Sequence, residues 1–259
     1  MDEALNIRTM AELQAEGLEP EVLLWVGCAG RLDNRAQKVS RTLARILNKA
    51  GVVFGILGAE EVCTGDPARR AGNEFVFQML AQQNIATLDA YGVKRVVTAC
   101  PHCFNTLKNE YPALGGNYEV LHHTQFLNAL IKEGRIKVDG LKEGTITLHD
   151  SCYLGRVNGE YDAPREILKA INQDLKEMRR SGTNGLCCGA GGAQMFKEDE
   201  PGDKRINEER IDDAIETGAQ RIAANCPFCI TMLEDGLKGR ERSDVMVYDL
   251  SELVLNQMR

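Results

Sequence analysis

The spacing of the cysteines constrains the fold of this chain more than any other feature of its sequence. Cys28 and Cys63 are 35 positions apart, and so are Cys152 and Cys187. The interval from Cys63 to Cys100 is 37 positions, and the matching interval from Cys187 to Cys226 is 39. Each series then ends on a C-P-aromatic-C motif. Self-similarity at a fixed spacing is typical of repeated structural units. We therefore predict two related units packed about a pseudo-twofold axis.

Short apolar runs alternate with amphipathic stretches along both halves. Runs bounded by turns are typical of buried parallel strands, and an apolar stripe at a period of 3.6 residues is typical of helices. The pattern predicts strands at 21–27, 52–57, 93–98, 118–121, 145–148, 219–224 and 245–248. It predicts helices at 37–50, 68–91, 124–133, 163–171 and 202–217, with further helices after residue 100 and at the end of the chain. Residues 1–20 are expected to form a helical or loose lead-in.

This alternation predicts the α/β fold class. Strand-helix-strand units form parallel sheets, and ligands bind beyond the carboxyl ends of parallel strands. We expect two pseudo-symmetric Rossmann-like units, one over residues 1–139 and one over 140–259. Metal sites are expected at the carboxyl ends of the strands, because four cysteines closely follow a predicted strand, namely Cys28, Cys100, Cys152 and Cys226.

The cysteines are better suited to metal binding than to disulfide bonds. Nine in 259 residues are too few for a disulfide scaffold, and an odd number cannot pair completely. We call Cys28, Cys63, Cys100 and Cys103 the first site, and Cys152, Cys187, Cys188, Cys226 and Cys229 the second site. Soft thiolates bind zinc, copper(I) or iron-sulfur centres. Four thiolates suit zinc or an ordinary cluster, whereas a fifth favours an unusual iron-sulfur centre at the second site.

Composition narrows the choice of partners and location. The net charge of −7 and the pI of about 5.3 give no basic surface for nucleic acid. No run approaches the ~18 apolar residues of a membrane span. The amino terminus lacks the basic start and apolar run of a signal peptide. We expect a soluble, cytoplasmic protein without a membrane span, which can dock at the inner membrane face and whose partners are proteins or small molecules.

One group of motifs resembles a known family. Cys152, the C-C-G at 187–189 and the C-P-F-C at 226–229 are similar to the CCG (cysteine-rich) domain found in heterodisulfide reductase and its relatives. These relatives include the iron-sulfur component of a glycerol-3-phosphate dehydrogenase and the lactate-utilisation iron-sulfur protein. The resemblance covers almost the whole chain as two copies. The E-V-C-T-G-D-P-A-R-R at 61–70 also resembles a subgroup of iron-sulfur oxidoreductases that carries a membrane part and ferredoxin-type motifs.

The resemblance implies a noncubane [4Fe-4S] cluster at the second site, with Cys152, Cys187, Cys188, Cys226 and Cys229 as ligands. The first copy has Thr64 at the fifth place, which implies zinc or a second iron-sulfur cluster on Cys28, Cys63, Cys100 and Cys103. In some members of that subgroup, electrons pass from electron-transfer flavoprotein to quinone. The membrane part and the ferredoxin motif do not occur in this sequence. The resemblance therefore implies a ferredoxin-like or flavoprotein electron donor and a membrane-bound partner subunit.

Polar residues near the first site are candidates for a role in catalysis. His102 lies inside the first C-x-x-C, where it can tune a thiolate, relay protons near pH 7 or only cap a helix. Asp66, Arg69 and Arg70 follow Cys63 closely. The arginines can hold an anionic substrate or a partner's carboxylates, or they can form surface ion pairs.

Further polar residues are expected around the second site. Asp150 is expected to orient the imidazole of His149, which precedes Cys152. Tyr153 is expected either to shield a cluster from water or simply to pack. His122 and His123 follow a predicted strand, where they either line the mouth of the metal sites or begin a solvated helix.

The sequence favours an iron-sulfur electron-transfer subunit of an oxidoreductase complex, with a quinone-like, disulfide or protein acceptor. A thiol-disulfide oxidoreductase or disulfide reductase that uses the C-x-x-C dithiols is the alternative. Against it, neither motif follows the tryptophan typical of thioredoxin-type sites, and the upstream cysteines would have no role. A zinc-stabilised binding module is the third hypothesis, and five sulfurs at one site disfavour it.

Overall fold

The computed structural model describes residues 5–141, 144–198 and 201–259, and its named strands form two parallel sheets. The first four residues of the expected lead-in lie outside the described residues. The first sheet contains β1 (Arg8–Thr9), β2 (Val22–Trp25), β3 (Phe54–Ile56), β4 (Arg95–Thr98) and β5 (Glu119–His122). The second contains β6 (Thr145–Leu148), β7 (Asp174–Leu175), β8 (Arg221–Ala224) and β9 (Met246–Asp249).

Helices connect the strands in both halves. In the first half they are α1 (Met10–Ala15), α2 (Gly27–Leu32), α3 (Asn34–Lys49), α4 (Asp66–Arg70), α5 (Glu74–Ala90), α6 (Pro101–Asn105) and α7 (His123–Lys132). In the second they are α8 (Asp162–Ala170), α9 (Ile206–Glu216), α10 (Pro227–Gly239) and α11 (Leu250–Gln257). Among the described residues, no helix combines the length and the apolar character needed to cross a bilayer.

The two sheets have the same strand order, which confirms the α/β class with parallel sheets. The first sheet has the order β1-β3-β2-β4-β5 and the second has the order β7-β6-β8-β9. All neighbouring strands are parallel. The two orders correspond once β1 is left out. The strand that precedes the first cysteine of each half, β2 or β6, lies beside the strand that precedes the C-x-x-C, β4 or β8. The carboxyl ends of these neighbours therefore lie at one edge of each sheet.

Residues at the strand ends also start the helices that follow. His122 and Asp249 end β5 and β9, and the side chain of each caps the next helix in a capping box. Pro101 and Pro227 occupy the first turn of α6 and α10, where a missing backbone N–H costs nothing. Each C-x-x-C therefore spans the first turn of a helix, as the sequence predicts.

Several parts of the fold differ from the prediction, among them α2, which lies where no helix was predicted. The single helix expected over 68–91 is two helices, α4 and α5. The break occurs because Gly72 adopts a φ of +86° and the side chain of Asn73 accepts a hydrogen bond from the N–H of Val76. The strands β1 and β7 were not predicted, since two residues each are too short to give a periodic signal.

The two halves share one hydrophobic core. Helices α3 and α7 of the first half contact α11 and α8 of the second. Apolar side chains of these helices and of both sheets form a single buried cluster that includes Leu47, Leu127, Ile167 and Leu253. Since this core crosses the middle of the chain, it fixes the two metal-site edges relative to each other.

Candidate metal centre

The four thiols of the first site lie together beyond the first sheet. Cys28 lies in the first turn of α2, Cys63 in the loop after β3, and Cys100 and Cys103 at the start of α6. The thiols lie in two close pairs, Cys28 with Cys63 and Cys100 with Cys103. The charges of the first pair act on Cys103, so the two pairs adjoin. The structure thus brings together the set expected from the sequence.

The five thiols of the second site also converge. The Sγ atom of Cys152 is 4.0 Å from that of Cys187, and the Sγ atom of Cys188 is 3.3 Å from that of Cys229. Cys187 also adjoins Cys188, and Cys226 adjoins Cys229, so the five thiols form one group. The last three cysteines are buried, whereas Cys152 and Cys187 are partly exposed. The site is therefore closed on its inner side and reachable on its outer side.

This donor set fits a soft metal centre. All nine cysteines are free thiols. Four thiolates can complete tetrahedral zinc or an ordinary cluster at the first site. The second site offers one sulfur more than zinc or an ordinary cluster needs, which fits an iron-sulfur centre with more than four cysteine ligands.

A glycine after each loop cysteine shapes both sites in the same way. The N–H of Gly65 is 3.4 Å from the Sγ atom of Cys63, and the N–H of Gly189 is 3.3 Å from that of Cys187. Their φ angles are +90° and +91°, a region that favours glycine. The backbone can therefore turn sharply and point its N–H at the sulfur.

Thr64 occupies the fifth place of the first site. Its Oγ1 atom lies 3.8 Å from the Sγ atom of Cys103, as the Sγ atom of Cys188 lies 3.3 Å from that of Cys229. The threonine is buried. The two sites thus have the same outline, with a hydroxyl in one where the other has a thiol.

Each site contains a loop thiol with a lowered pKa. A hydrogen bond from the thiol of Cys28, together with the N–H of Gly65, lowers the pKa of Cys63 to about 7. Hydrogen bonds from adjacent thiols and the N–H of Gly189 lower the pKa of Cys187. Thiolates bind metals and thiols do not, so these two cysteines are prepared for metal binding near neutral pH.

The two sites touch each other through Cys100 and Cys226. Their thiols lie close enough to act on each other's pKa, since Cys226 contributes to the lowered pKa of Cys100 and Cys100 to the raised pKa of Cys226. These cysteines are the matched first members of the two C-x-x-C motifs. The sites therefore adjoin directly.

His102 lies between the halves. Its Nδ1 atom is 2.9 Å from Oδ2 of Asp66. Its ring stacks on Tyr153 with centroids 4.2 Å apart and meets the edge of Phe228 at 5.5 Å. Burial acts to lower the pKa of His102, but the hydrogen bond to Asp66 and the thiolate of Cys100 outweigh it, so the pKa is raised.

Arg69 and Arg70 form ion pairs beside the first site. They lie 2.8 Å and 2.5 Å from the two carboxylate oxygens of Glu110. The Nε atom of Arg70 is 3.4 Å from Oδ1 of Asp66, and the guanidinium of Arg69 lies 4.4 Å from the ring centroid of Phe77. The network therefore holds Asp66 in place from the side opposite His102.

The partner of His149 is Arg210, not Asp150. The Nε atom of Arg210 donates to Nδ1 of His149 over 2.9 Å. Asp150 instead forms a two-pronged pair with Arg165 at 2.8 Å and 3.0 Å. The expectation that Asp150 orients the imidazole is therefore wrong. Arg210 lies 61 positions further along the chain, so no local pattern indicated it.

His149 itself adjoins the second site. A ring nitrogen of His149 and the Sγ atoms of Cys188 and Cys229 all lie within 4.8 Å of one another. Burial, followed by the charge of Arg210, lowers the pKa of His149 to about 3. The ring is therefore neutral at physiological pH.

Ser151 gives the second site a donor that the sequence analysis missed. Its Oγ atom lies 3.6 Å from the Sγ atom of Cys229 and also contacts Asn225. The matched residue of the first half is Gly27, and a Cβ atom there would lie 3.4 Å from the Sγ atom of Cys103. A residue-by-residue alignment of the halves would have revealed this difference.

His122 and His123 do not line the mouth of either site. Both are fully buried. His122 pairs with the hydroxyl of Thr124 at 2.8 Å, and Nε2 of His123 lies 3.1 Å from Oδ1 of Asp249. The pair does begin a helix, as one alternative predicted, because His122 caps α7 and His123 is its first residue. The expectation of a mouth-lining or solvated pair is wrong, because the contact between His123 and Asp249 joins the two halves in their interior.

A family model matches the chain twice. The model describes the cysteine-rich domain designated CCG, and it matches residues 22–108 and residues 146–234. These two ranges contain all nine cysteines.

Several curated proteins are similar over nearly the whole chain. It is 45% identical to the EtfAB:quinone oxidoreductase of Syntrophomonas wolfei over 98% of its length, and 49% identical to the probable iron-sulfur-binding oxidoreductase FadF of Bacillus subtilis over 96%. It is 38% identical over 90% to one subunit of the dihydromethanophenazine:CoB--CoM heterodisulfide reductase of Methanosarcina barkeri. The chain spans only 37%, 36% and 58% of the lengths of these relatives.

A solved structure is similar in fold. The crystal structure of a hypothetical protein from Helicobacter pylori covers 92% of this chain with a TM-score of 0.58 at 11% sequence identity, and the match spans 49% of that protein. At this identity the likeness concerns the fold alone, and it agrees with the α/β architecture.

Proposed function

This chain belongs to the CCG cysteine-rich domain family, and from that membership we propose that it is the iron-sulfur electron-transfer part of an oxidoreductase. The second site holds a noncubane [4Fe-4S] cluster through its five cysteines. The first site holds zinc or a second iron-sulfur cluster through its four. When bound, the second-site group would supply one-electron chemistry toward a quinone-like, disulfide or protein acceptor.

The convergence of five free thiols carries this proposal. The sulfur of Cys188, 3.3 Å from that of Cys229, is the one that neither zinc nor an ordinary cluster would need. The first site is the internal comparison, because it has the same outline but a hydroxyl at this place. The names of the relatives, two of them oxidoreductases and one part of a heterodisulfide reductase, support the redox assignment.

The residues around the second site hold and shield the bound group. When bound, the cluster supplies one-electron chemistry at a potential set by its surroundings. Cys226 and Cys229 are 1% and 3% exposed, so they close the inner side against water. Met195, Phe228 and Met232 pack against the cysteines from the outer side. Such a dry wall suits electron transfer, because it limits reorganisation of solvent around the changing charge.

His102 and Asp66 are proposed to hold and move a proton beside the two sites. Nδ1 of His102 faces the carboxylate of Asp66, so Nε2 is the ring atom available to another group. Arg69 is proposed to support this pair through Glu110, which it shares with Arg70. A proton can then accompany an electron to an acceptor such as a quinone or a disulfide.

The acceptor is proposed to approach beside Gly189. A cavity of about 550 Å³ opens there, and Met195, Ile206 and Met232 form its apolar part. Phe196, which meets Phe228 edge-on at 6.3 Å, is 63% exposed near this opening. Because Met195 and Met232 also pack against the second-site cysteines, the cavity lies beside the outer side of that site.

The relatives' names and their greater lengths support the proposed partners. We propose that a flavoprotein or ferredoxin-like donor delivers the electrons. A membrane-bound partner, on the same or another chain, then brings the assembly to the inner membrane face.

The two repeated units are proposed to be 1–139 and 140–259, since the strands of the first sheet lie within 8–122 and those of the second within 145–249.

Metal analysis under anaerobic conditions tests the proposal. We expect a brown protein with about four iron and four sulfide per chain from the second site, more if the first site holds a cluster, and otherwise about one zinc. Cys188→Ser should alter the electron paramagnetic resonance spectrum of the protein as purified. An unchanged spectrum would contradict the five-ligand assignment, and a colourless, metal-free protein that still transfers electrons would end the proposal.

A dithiol reductase is the second candidate. The hydrogen bond from Cys103, aided by that from Cys226, lowers the pKa of Cys100, as a nucleophilic thiol requires. However, Cys100 and Cys103 are only 4% and 5% exposed, so a disulfide substrate cannot reach them without rearrangement. Reduction of a small aromatic disulfide by the iron-free, zinc-free chain would favour this candidate.

A further inference from the structure

His149 lies at the edge of the second site and has no role in the family's ligand pattern. It is fully buried at the end of β6. One of its ring nitrogens lies within 4.8 Å of the Sγ atoms of both Cys188 and Cys229. Those two sulfurs are themselves 3.3 Å apart, so the imidazole faces a closely spaced thiol pair of the site.

Arg210 determines which ring nitrogen of His149 carries the proton. A guanidinium has only N–H groups, so it can donate but never accept. Its Nε atom is 2.9 Å from Nδ1 of His149, which must therefore be the unprotonated nitrogen. In a neutral imidazole the proton then resides on Nε2. This Nε2 atom is buried and has no hydrogen-bond partner within 5–141, 144–198 and 201–259.

The position of Arg210 is itself fixed. Its Nη1 atom donates to the carbonyl oxygen of Arg180 over 2.7 Å and lies 3.2 Å from Oδ2 of Asp213. The Arg210 side chain is fully buried, so it cannot swing away into solvent. The imidazole is consequently held in one orientation and one tautomer before any group binds.

Two roles can be distinguished for such a histidine. A ligand nitrogen needs a free lone pair, and its ring usually donates the other N–H to a carboxylate or carbonyl. Here the arrangement is reversed, because Nδ1 accepts from a donor and Nε2 keeps its proton. Nε2 can therefore donate a hydrogen bond to sulfur, but it cannot coordinate iron or zinc.

We propose that His149 is a positioned hydrogen-bond donor to the sulfurs on the Cys188–Cys229 side of the second site, and that it raises the reduction potential there. This inference rests on the proposed iron-sulfur group at that site. A donor to sulfur stabilises the more negative, reduced form, and hydrogen bonds to the sulfurs are among the factors that set cluster potentials.

The first site provides a matched control. Trp25 takes the place of His149 in the repeat, and among the residues that the structure covers its Nε1 atom is likewise buried without a partner. Its Cδ1 atom lies 4.0 Å from where a Cβ atom of Gly27 would stand, close to the first site. Trp25→Phe therefore removes a buried N–H from the other half and leaves the surroundings of the second site intact.

The experiment is a redox titration of the anaerobically purified chain, followed by electron paramagnetic resonance. We expect His149→Leu to lower the ratio of reduced to oxidised second-site cluster about tenfold at a fixed potential, which is 59 mV for one electron. His149→Gln keeps an amide N–H and should shift less, and Trp25→Phe should not shift this signal. An unchanged potential in His149→Leu, with iron content equal to that of the wild type, overturns the inference alone.

A measurement on the unaltered chain avoids dependence on variants that fail to fold. With ¹⁵N-labelled histidine, pulsed resonance should show one weak nitrogen coupling at the second-site cluster, of the size transmitted through a hydrogen bond. A coupling of the size of a directly bound nitrogen, or none, contradicts the inference. If the chain binds no iron at the second site, the proposed function fails first and the inference fails with it.

Discussion

The two metal sites share their backbone and differ in a few side chains. Both use three loops after parallel strands, and both turn on a glycine whose N–H points at a sulfur over 3.4 Å or 3.3 Å. Beside that glycine, the hydroxyl of Thr64 faces Cys103 and the thiol of Cys188 faces Cys229. The repeat has thus preserved the geometry of the site while its chemistry has diverged.

The surroundings of the sites diverge in the same direction. The second site has a seryl hydroxyl from Ser151 and an imidazole from His149 beside its sulfurs, where the first has Gly27 and Trp25. Polar donors near sulfur favour the reduced form of a cluster. The second site therefore has more polar side chains beside its sulfurs than the first, which supports the proposal that it is the second site that carries out one-electron chemistry.

Loss of a loop cysteine is expected to have the largest effect. Cys187→Ser should remove most of the iron from the second site and leave the metal of the first, and Cys63→Ser should do the reverse. Loss of an outer-shell partner already costs roughly 10–100-fold in metal affinity, so loss of a ligand should cost more. Iron, sulfide and zinc per chain provide the measurement. Equal loss from both sites in either variant would show that they form one centre.

Exchange of the fifth residue is expected to make the sites alike. Thr64→Cys adds a thiol where a hydroxyl now faces Cys103, and we expect the first site to gain iron and a second paramagnetic signal. Cys188→Thr is the reciprocal change and should make the second-site signal disappear or resemble that of the first site. If Thr64→Cys leaves both metal content and spectrum unchanged, the difference between the sites does not lie at this position.

Substitution of the two glycines should distinguish the sites by stability. At both, alanine must adopt a left-handed φ, at a cost of about 1–2 kcal/mol. A Cβ atom at Gly65 would also lie 2.8 Å from Cδ2 of Phe77 and 3.1 Å from its Cα atom, whereas at Gly189 the nearest atom is 3.3 Å away. We therefore expect Gly65→Ala to lower the free energy of unfolding by roughly 1–3 kcal/mol more than Gly189→Ala does. Urea unfolding of both variants measures the difference. Equal losses would mean that α5, which contains Phe77, shifts to make room for the new Cβ atom without cost.

A carboxylate present only in the first half should give the smallest effect. Glu61 accepts hydrogen bonds from the N–H groups of Val26 at 3.0 Å and Gly27 at 2.6 Å, and Gly185 takes its place in the second half. Glu61→Ala leaves the buried N–H of Gly27 and the partly buried N–H of Val26 unsatisfied, and the buried donor alone costs roughly 1–3 kcal/mol. Glu61→Gln should cost less, since its amide oxygen can accept one of them. Thermal unfolding compares the two variants, and a loss in Glu61→Gln as large as in Glu61→Ala would assign a role to the negative charge.

Much of the fold could be predicted because its signals are local. The strand predicted over 145–148 matches β6 in full, and the C-x-x-C motifs begin helices because proline suits a first helical turn. The break between α4 and α5 was missed, although Gly72 and Asn73 together are a helix stop followed by a cap. Strands of two residues could not be found, since pairing with a neighbour rather than a run of apolar residues defines them.

The sequence by itself determined which atoms can bind metal and how they are grouped. Cysteine spacing repeats because each thiol must reach the same edge of a sheet, so counting along the chain gives the two sets and reveals Thr64 as the exception. Tertiary structure alone decided what surrounds those sets. Arg210 rather than Asp150 orients His149, and Cys100 meets Cys226, because packing across the shared core brings together residues far apart in the chain. Cysteine spacing reveals a contact only when both residues belong to the repeat. Arg210, which determines the ring nitrogen of His149 that carries the proton, lies outside the cysteine repeat.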